Sequence, residues 1–198
     1  KQAAAESVEE TSARLNAWFD AKYEEQLQFS PVQMTFLGRK DKYDQIDCFT
    51  FACADEQLAW MKAATDELKA SFDYDTLTPT DQDSYDLWVY QYERAAAGVQ
   101  YRNNGFVFDQ MNGLQSFAPT FLMQFHQVDE EADAQAYVKR ITAAAAALQD
   151  ALAIAKNRID AGPLLVAHRA MNVVSLMVSS RRLGGVEELL VKKDPSEG

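Results

Sequence analysis

Residues 103–128, NNGFVFDQMNGLQSFAPTFLMQFHQV, form the one long stretch of this chain that lacks a clean helical period. Two Asn-Gly steps interrupt the stretch, at Asn104-Gly105 and at Asn112-Gly113, and it also contains a proline and five phenylalanines. Asn and Gly favour turns because both tolerate a positive φ. We therefore expect an irregular connector between two helical regions, and this connector is the first candidate for a functional site.

The segment before the connector has the start and stop signals of four helices. The predicted starts are Ser7, where Ser7 and Glu10 have capping-box spacing, then Pro31, about Ala54, and Thr78-Pro79. The second of these helices is expected to end at Leu37, with Gly38 closing it. Apolar residues at helical spacing predict the buried face of the first helix (Val8, Leu15, Trp18, Phe19, Tyr23, Leu27) and of the fourth (Tyr85, Trp88, Val89, Tyr92, Ala96, Val99).

The segment after the connector predicts one long helix. Acidic residues 129–131 suit a helix N-terminus, and Gly162-Pro163 should end the helix. Its predicted apolar face comprises Tyr137, Ile141, Ala144, Leu148, Leu152, Ala155 and Ile159. The predicted fold is therefore all-α, an antiparallel bundle of about five to seven helices with an irregular connector near 103–128.

The last 37 residues differ in composition from the rest of the chain. Residues 162–198 contain no Trp, Tyr or Phe, and their five basic and four acidic residues give a net charge of +1 in a chain whose total is −11. We therefore predict one helical domain over residues 1–161. The atypical tail, residues 162–198, is expected to form one helix and a disordered end.

Charge and hydropathy exclude several classes of partner. A net charge of −11 argues against nucleic acid, whose binding requires clustered Lys and Arg. No apolar run is long enough to predict a membrane span. Cys48 and Cys53 lie five positions apart, and the sequence leaves open whether they form a disulfide or remain two thiols.

The sequence also lacks the common catalytic motifs. HExxH, GxSxG, P-loop and GxGxxG patterns are all absent, so we predict no catalytic residue and no metal ligand in this chain. His126 has two interpretations: a ligand or general base, or a histidine at a helix junction that bonds to local backbone. The second interpretation is the more frequent one for a single histidine after an apolar run.

Three segments together resemble a known family. They are AWFDAKYEEQLQFSPVQMTFLG at 17–38, SYDLWVYQYE at 84–93 and FDQMNGLQSFAPTFLMQFHQVDEEADAQAYVKRI at 108–141. The chain resembles the N-terminal portion of the bacterial DUF885 family, and the likeness covers roughly residues 8 to 161. The tail after Gly162 does not look like the family's continuation, and a truncated or frame-shifted product is one hypothesis for it.

The resemblance carries expectations about chemistry and location. DUF885 proteins look like relatives of zinc-dependent metallopeptidases of the gluzincin type, and their zinc motif lies in a C-terminal half beyond residue 198. Zinc is therefore expected only in a full-length family member, with no cofactor in this chain. Secretion and lipoprotein signals in the family imply a periplasmic or secreted protein, lipid-anchored before processing, although the sequence also leaves a cytoplasmic location open.

Two functional hypotheses follow. In the first, the chain is the N-terminal helical part of a metallopeptidase-like protein and forms a wall of a cleft for a peptide-like substrate, with no activity of its own. The residues predicted to contact substrate are Gln110, Met111, Asn112, Gly113, Ser116 and, more weakly, His126. In the second, the chain is a stand-alone helical binding module that forms a homo-oligomer through exposed apolar surface. A hydrolase that uses carboxylates and His126 is a third, weaker alternative.

Overall fold

A computed structural model describes residues 7–105, 107–109 and 113–160. These residues form six α-helices and contain no β-strand, so the all-α prediction is confirmed. The α-helices are α1 (Val8–Leu27), α2 (Pro31–Phe36), α3 (Phe51–Ser71), α4 (Pro79–Gly98), α5 (Leu114–Gln124) and α6 (Glu131–Asp160). Two short 3-10 helices, at Tyr74–Thr76 and Val99–Tyr101, follow α3 and α4. The predictions for 162–198, and for the helix stop at Gly162-Pro163, lie outside the described residues.

The predicted helix ends are largely confirmed. Ser7 and Glu10 form a reciprocal capping box at α1, and the Thr78 hydroxyl caps α4 just before Pro79. Gly38 has a φ of 75° after α2, a conformation that suits glycine. The start of α3 was predicted three residues late, because the Thr50 hydroxyl accepts from the Cys53 amide and extends the helix back to Phe51.

The expectation of an irregular connector over residues 103–128 is wrong for its second half, where α5 lies. The polar residues Ser116, Thr120 and Gln124 recur every four positions on one side of this helix, so a helical period is present in the sequence. Pro119 lies inside α5 and lacks the backbone N–H of an ordinary helical residue, and an Asn-Gly step precedes the helix. These two loop-like signals hide the short period when only the sequence is read.

The chain divides into two compact units. Among the described residues, unit 1 comprises 7–30 and 50–105 and contains α1, α3 and α4, whereas unit 2 comprises 31–49, 107–109 and 113–160 and contains α2, α5 and α6. Cys48 and Cys53, whose pairing the sequence leaves open, are disulfide-bonded. In the described part of the chain, no helix is both long and apolar enough to cross a membrane.

Unit 1 is a three-helix arrangement around Leu15, Leu68, Phe72 and Leu77. Side chains along α1 contact α3 in reverse order. Arg14 donates to the Ser71 carbonyl, and the Trp18 indole donates to the Glu67 carboxylate. Further along α1, the Glu25 carboxylate accepts from the Trp60 indole. The two helices are therefore antiparallel. Lys22 lies between the two Trp-Glu pairs and bonds to both carboxylates, with nitrogen-to-oxygen distances of 3.0 Å to Glu25 and 2.9 Å to Glu67.

The predicted buried faces of α1 and α4 are wrong in part. Val8 and Tyr23 of α1 are 50% and 46% exposed, and Asp81 is the buried residue of α4. The α4 aromatics Tyr85 and Trp88 pack against the core of unit 1 but stay half-buried. Large aromatic rings are rarely covered completely, and three helices are too few to enclose them.

Unit 2 has a core of apolar residues from α5 and α6. It comprises Phe108, Leu114, Ala118, Phe121 and Leu122 together with Val32, Ala144, Ala147, Leu148 and Ala151. The alanines allow α5 to approach α6 closely, because a small side chain leaves room for the facing ring of Phe121. Of the face predicted for α6, Ala144 and Leu148 are buried, while Tyr137, Ile141, Leu152 and Ala155 pack at the margin of the core; the side chain of Ile159 is not described.

Leu68→Ala should destabilise unit 1 by about 2–5 kcal/mol, because the fully buried side chain leaves a cavity. Leu87→Ala is the matched control, since Leu87 is 56% exposed on a helix of the same unit, and it should change stability by about 0.5 kcal/mol or less. Urea unfolding followed by tryptophan fluorescence measures both variants, because all three tryptophans lie in unit 1. An equal loss of unfolding free energy in the two variants would contradict the burial of Leu68 in this core.

Candidate functional site

Arg140 of α6 is a completely buried cation in unit 2. Its Nε donates to the Gln45 carbonyl at 2.7 Å, its Nη2 to the Thr35 hydroxyl at 2.9 Å and its Nη1 approaches His126 Nδ1 at 3.1 Å. A longer contact of 3.5 Å reaches the Pro31 carbonyl. Within the described residues no carboxylate lies at ion-pair distance from this guanidinium, so neutral acceptors alone satisfy it.

The contacts of His126 determine its tautomer. Nδ1 faces the guanidinium of Arg140, which has only donors, so Nδ1 must accept. Nε2 lies 3.0 Å from the Asp133 carbonyl oxygen, which has only lone pairs, so Nε2 carries the proton. His126 is 7% exposed, and burial, together with the nearby Arg140 charge, lowers its pKa below the ordinary value. The ring is therefore neutral near pH 7.

Tyr43 connects the loop after α2 to this histidine. Its ring stacks on the His126 imidazole with 4.0 Å between the ring centroids, and the Arg140 guanidinium lies over the same ring at 4.8 Å. The Tyr43 hydroxyl donates to the Gln127 carbonyl at 3.0 Å and accepts from the Gln127 amide at 2.7 Å. Gln127, at the α5–α6 junction, therefore pairs with the Tyr43 hydroxyl both as donor and as acceptor.

A lysine and two aspartates complete the site at the start of α6. Lys40 Nζ lies 2.6 Å from Asp133 Oδ2 and 2.9 Å from Asp129 Oδ2. The buried Asp133 carboxylate also accepts from the backbone amides of Asp129 and Glu130. The Lys40 ammonium holds the pKa of Asp133 below its usual range, and both aspartates raise the pKa of Lys40.

An open groove of about 190 Å³ lies directly above this network. Its lining residues are Thr35, Phe36, Gly38, Arg39, Lys40, Tyr43, Gln124, Phe125 and Gln127. The rings of Phe36 and Phe125 contact each other edge to face and are 43% and 42% exposed. The groove therefore combines exposed aromatic surface with amide and ammonium groups.

Of the six predicted substrate residues, three lie in the described part of the chain, and His126 lies far from the other two. Gln110, Met111 and Asn112 lie outside the described residues. Gly113 and Ser116 lie at the N-terminus of α5, where the Ser116 hydroxyl donates to the Gly113 carbonyl at 2.9 Å. His126 follows the other end of this 11-residue helix, about 16 Å away along its axis at 1.5 Å per residue. The assignment of these six residues stays a prediction.

Gly113 has a local structural role. The Gln115 side chain folds back over it to donate to the Asp109 carbonyl, and a Cβ on Gly113 would lie 2.0 Å from that side chain. The absence of a side chain at Gly113 therefore allows Gln115 to bond to the residues before α5.

Arg140, Tyr43, Lys40 and Asp133 are not among the site residues predicted from the sequence. A signal for Arg140 was present, because it lies seven residues after Asp133 and four before Ala144, on the stripe of α6 that faces the core. A single arginine on an apolar stripe indicates a buried cation. No comparable signal exists for Tyr43 and Lys40, since they lie in a loop without periodicity.

The chain was also compared with known proteins. The sequence profile of the family described as "Bacterial protein of unknown function (DUF885)" matches residues 31–183. The chain belongs to this family. No curated protein and no solved structure matches it significantly. The DUF885 match continues well past Gly162, so the expectation that the resemblance ends there is wrong, and the composition change at that point does not mark a departure from the family.

Arg140→Lys should destabilise the DUF885 chain by about 2–3 kcal/mol, because one ammonium cannot reach the Gln45, Thr35 and His126 acceptors together. The reciprocal change Lys139→Arg is the matched control: Lys139 is the adjacent residue, is 70% exposed and should tolerate the change within about 0.5 kcal/mol. Urea unfolding followed by far-UV circular dichroism compares the two. An Arg140→Lys variant with an unchanged free energy of unfolding would show that the buried hydrogen bonds are not required for stability.

Proposed function

We propose that this DUF885 chain is the helical part of a metallopeptidase-like protein and forms one wall of a substrate cleft, without a catalytic centre of its own. The observation that carries the proposal is the groove of unit 2, which exposes two phenylalanine rings beside polar groups. Binding sites for peptides combine apolar pockets with a few placed hydrogen-bonding groups. The expectation that DUF885 proteins are related to zinc peptidases also supports the proposal.

The groove has the composition that an extended peptide requires. Phe36 and Phe125 offer apolar contact for a side chain, while the amides of Gln124 and Gln127 can bond to a peptide backbone. Lys40 is 43% exposed, so its ammonium reaches the groove while it remains paired with the two aspartates. A rigid base supports these groups, because Thr35 and Tyr43 are both held through Arg140 and His126.

Zinc is not assigned to the described residues. In them, no group of three or more His, Cys, Asp and Glu side chains is arranged to hold a metal ion. In the proposal, metal ligands and catalytic groups lie outside the described residues. The proposed role of this chain is to contact and orient the substrate.

Peptide binding to the groove is the direct test. The probes are blocked hexapeptides that differ in one central residue (Phe, Leu, Lys or Glu), titrated into ¹⁵N-labelled protein. We expect amide shift changes at Gly38, Gln124 and Gln127, and tighter binding of the Phe peptide. Phe125→Ala should weaken that binding about tenfold through loss of apolar contact, equivalent to about 1.4 kcal/mol.

Phe49→Ala is the matched control, since Phe49 is 39% exposed in unit 2 and does not line the groove. Equal binding by both variants, or no shift at the groove amides with any peptide, would overturn the proposal. Light scattering on the same samples tests the alternative, a self-associating module. Exposed Met123 and Val128, at 72% and 54%, favour that alternative. A dimer mass that falls to a monomer mass in Phe125→Ala would support it.

We further propose that the protein works in an oxidising compartment, such as the periplasm. The support is the Cys48–Cys53 disulfide, since stable disulfides are rare in reducing cytosol. Protein isolated under thiol-blocking conditions should contain no reactive thiol. Reduction should lower its stability by about 2 kcal/mol, the value expected for a loop this small. Two blocked thiols in the isolated protein would contradict the assignment.

A further inference from the structure

The contact between His126 and Arg140 depends on a neutral imidazole. The Nδ1 lone pair of His126 accepts from the buried guanidinium at 3.1 Å. A proton on Nδ1 would remove the lone pair and place a second cation against the first. Both groups are buried, at 7% and 0% exposure, so water cannot screen the repulsion.

The groups that face His126 offset this charge only in part: the Asp133 carbonyl and carboxylate favour the protonated ring, whereas burial, Arg140 and Lys40 oppose it. From α6, Arg140 and Tyr137 contact or approach the ring, and Asp133 offers its backbone carbonyl to Nε2. From the loop after α2, Tyr43 covers the ring face and Lys40 adds a second cation nearby. The Asp133 carboxylate is already bound by Lys40 and by two backbone amides.

The same contacts hold two sides of the groove in place. Thr35 and Tyr43 line the groove, Thr35 bonds to Arg140, and Tyr43 stacks on His126. Gln127, a third lining residue, exchanges two hydrogen bonds with Tyr43. A change at the His126–Arg140 contact is therefore transmitted to the groove through direct neighbours.

We propose that His126 and Arg140 form a pH-sensitive switch in which protonation of His126 at mildly acidic pH breaks their contact and loosens Thr35 and Tyr43 at the groove. The switch does not depend on which ligand the groove takes. It acts below the ordinary histidine pKa of about 6.5, because the pKa of His126 is lowered in the folded protein.

The direction of the pH effect follows from linkage. Burial and the Arg140 charge lower the pKa of His126 in the folded state, so the unfolded chain takes up the proton first as pH falls. Stability from the neutral contact is therefore complete above the ordinary histidine pKa of about 6.5 and decreases below it. Below pH 6.5, the population of molecules in which the His126–Arg140 contact is broken should rise by up to about tenfold per pH unit.

The experiment follows the histidine ring signals and the backbone amides of unit 2 by NMR between pH 7.5 and 5. His168→Gln leaves one histidine and assigns the signal. We expect His126 to titrate below 6.5, with parallel shifts of the Gln127 amide and lower exchange protection around Thr35 and Tyr43. Tryptophan fluorescence from unit 1 should stay constant over the same range, because no tryptophan lies in unit 2.

His126→Gln is the decisive variant, because an amide can accept from Arg140 and donate to the Asp133 carbonyl but does not titrate. The pH-dependent shift of the Gln127 amide should disappear in His126→Gln and persist in His168→Gln. A normal His126 pKa, or an unchanged pH response in His126→Gln, would overturn the proposal. If His126→Gln does not fold, the titration of the His168→Gln protein still decides, since it leaves His126 intact.

Discussion

The buried guanidinium of Arg140 is the interaction on which unit 2 depends. One side chain from α6 bonds to α2 through Thr35, to the following loop through Gln45 and to the α5–α6 junction through His126. Isolated charge is costly to bury, and it persists here because Nε, Nη1 and Nη2 of Arg140 meet four acceptors, on Gln45, His126, Thr35 and Pro31. The groove rests on this network, so its shape is coupled to a single hydrogen-bonded cation.

Unit 1 is held together differently. Its helices pack through half-buried aromatic rings, with Trp18 and Trp88 centroids 5.1 Å apart in an edge-to-face contact. Lys22, Glu25 and Glu67 add a polar bridge between α1 and α3 at the margin of these rings. Apolar contact supplies most of the stabilisation there, since partly exposed ion pairs contribute little.

Local signals explain where the sequence predictions succeeded. Ser7, Gly38 and Thr78 act on backbone groups within a few residues, so helix ends could be predicted without tertiary contacts. The prediction failed for α5, because Pro119 and the preceding Asn-Gly step are typical of a loop and hide a short helical period. It also failed for the exposed Tyr23, because periodicity does not reveal how many neighbours a helix face will have. Arg140 left a readable signal on α6, but three of its acceptors, on Gln45, Thr35 and Pro31, lie 95 to 109 positions away in sequence.

The sequence by itself determined the all-α class, most helix ends and membership of DUF885, because capping, proline and periodic patterns act locally and family motifs are linear. Only the tertiary structure decided that His126 is a buried neutral acceptor, that Gly113 and Ser116 lie at the opposite end of α5 from it, and that Phe36 and Phe125 line a groove. These features require residues far apart in sequence to meet, and their chemistry depends on burial, which no local pattern encodes.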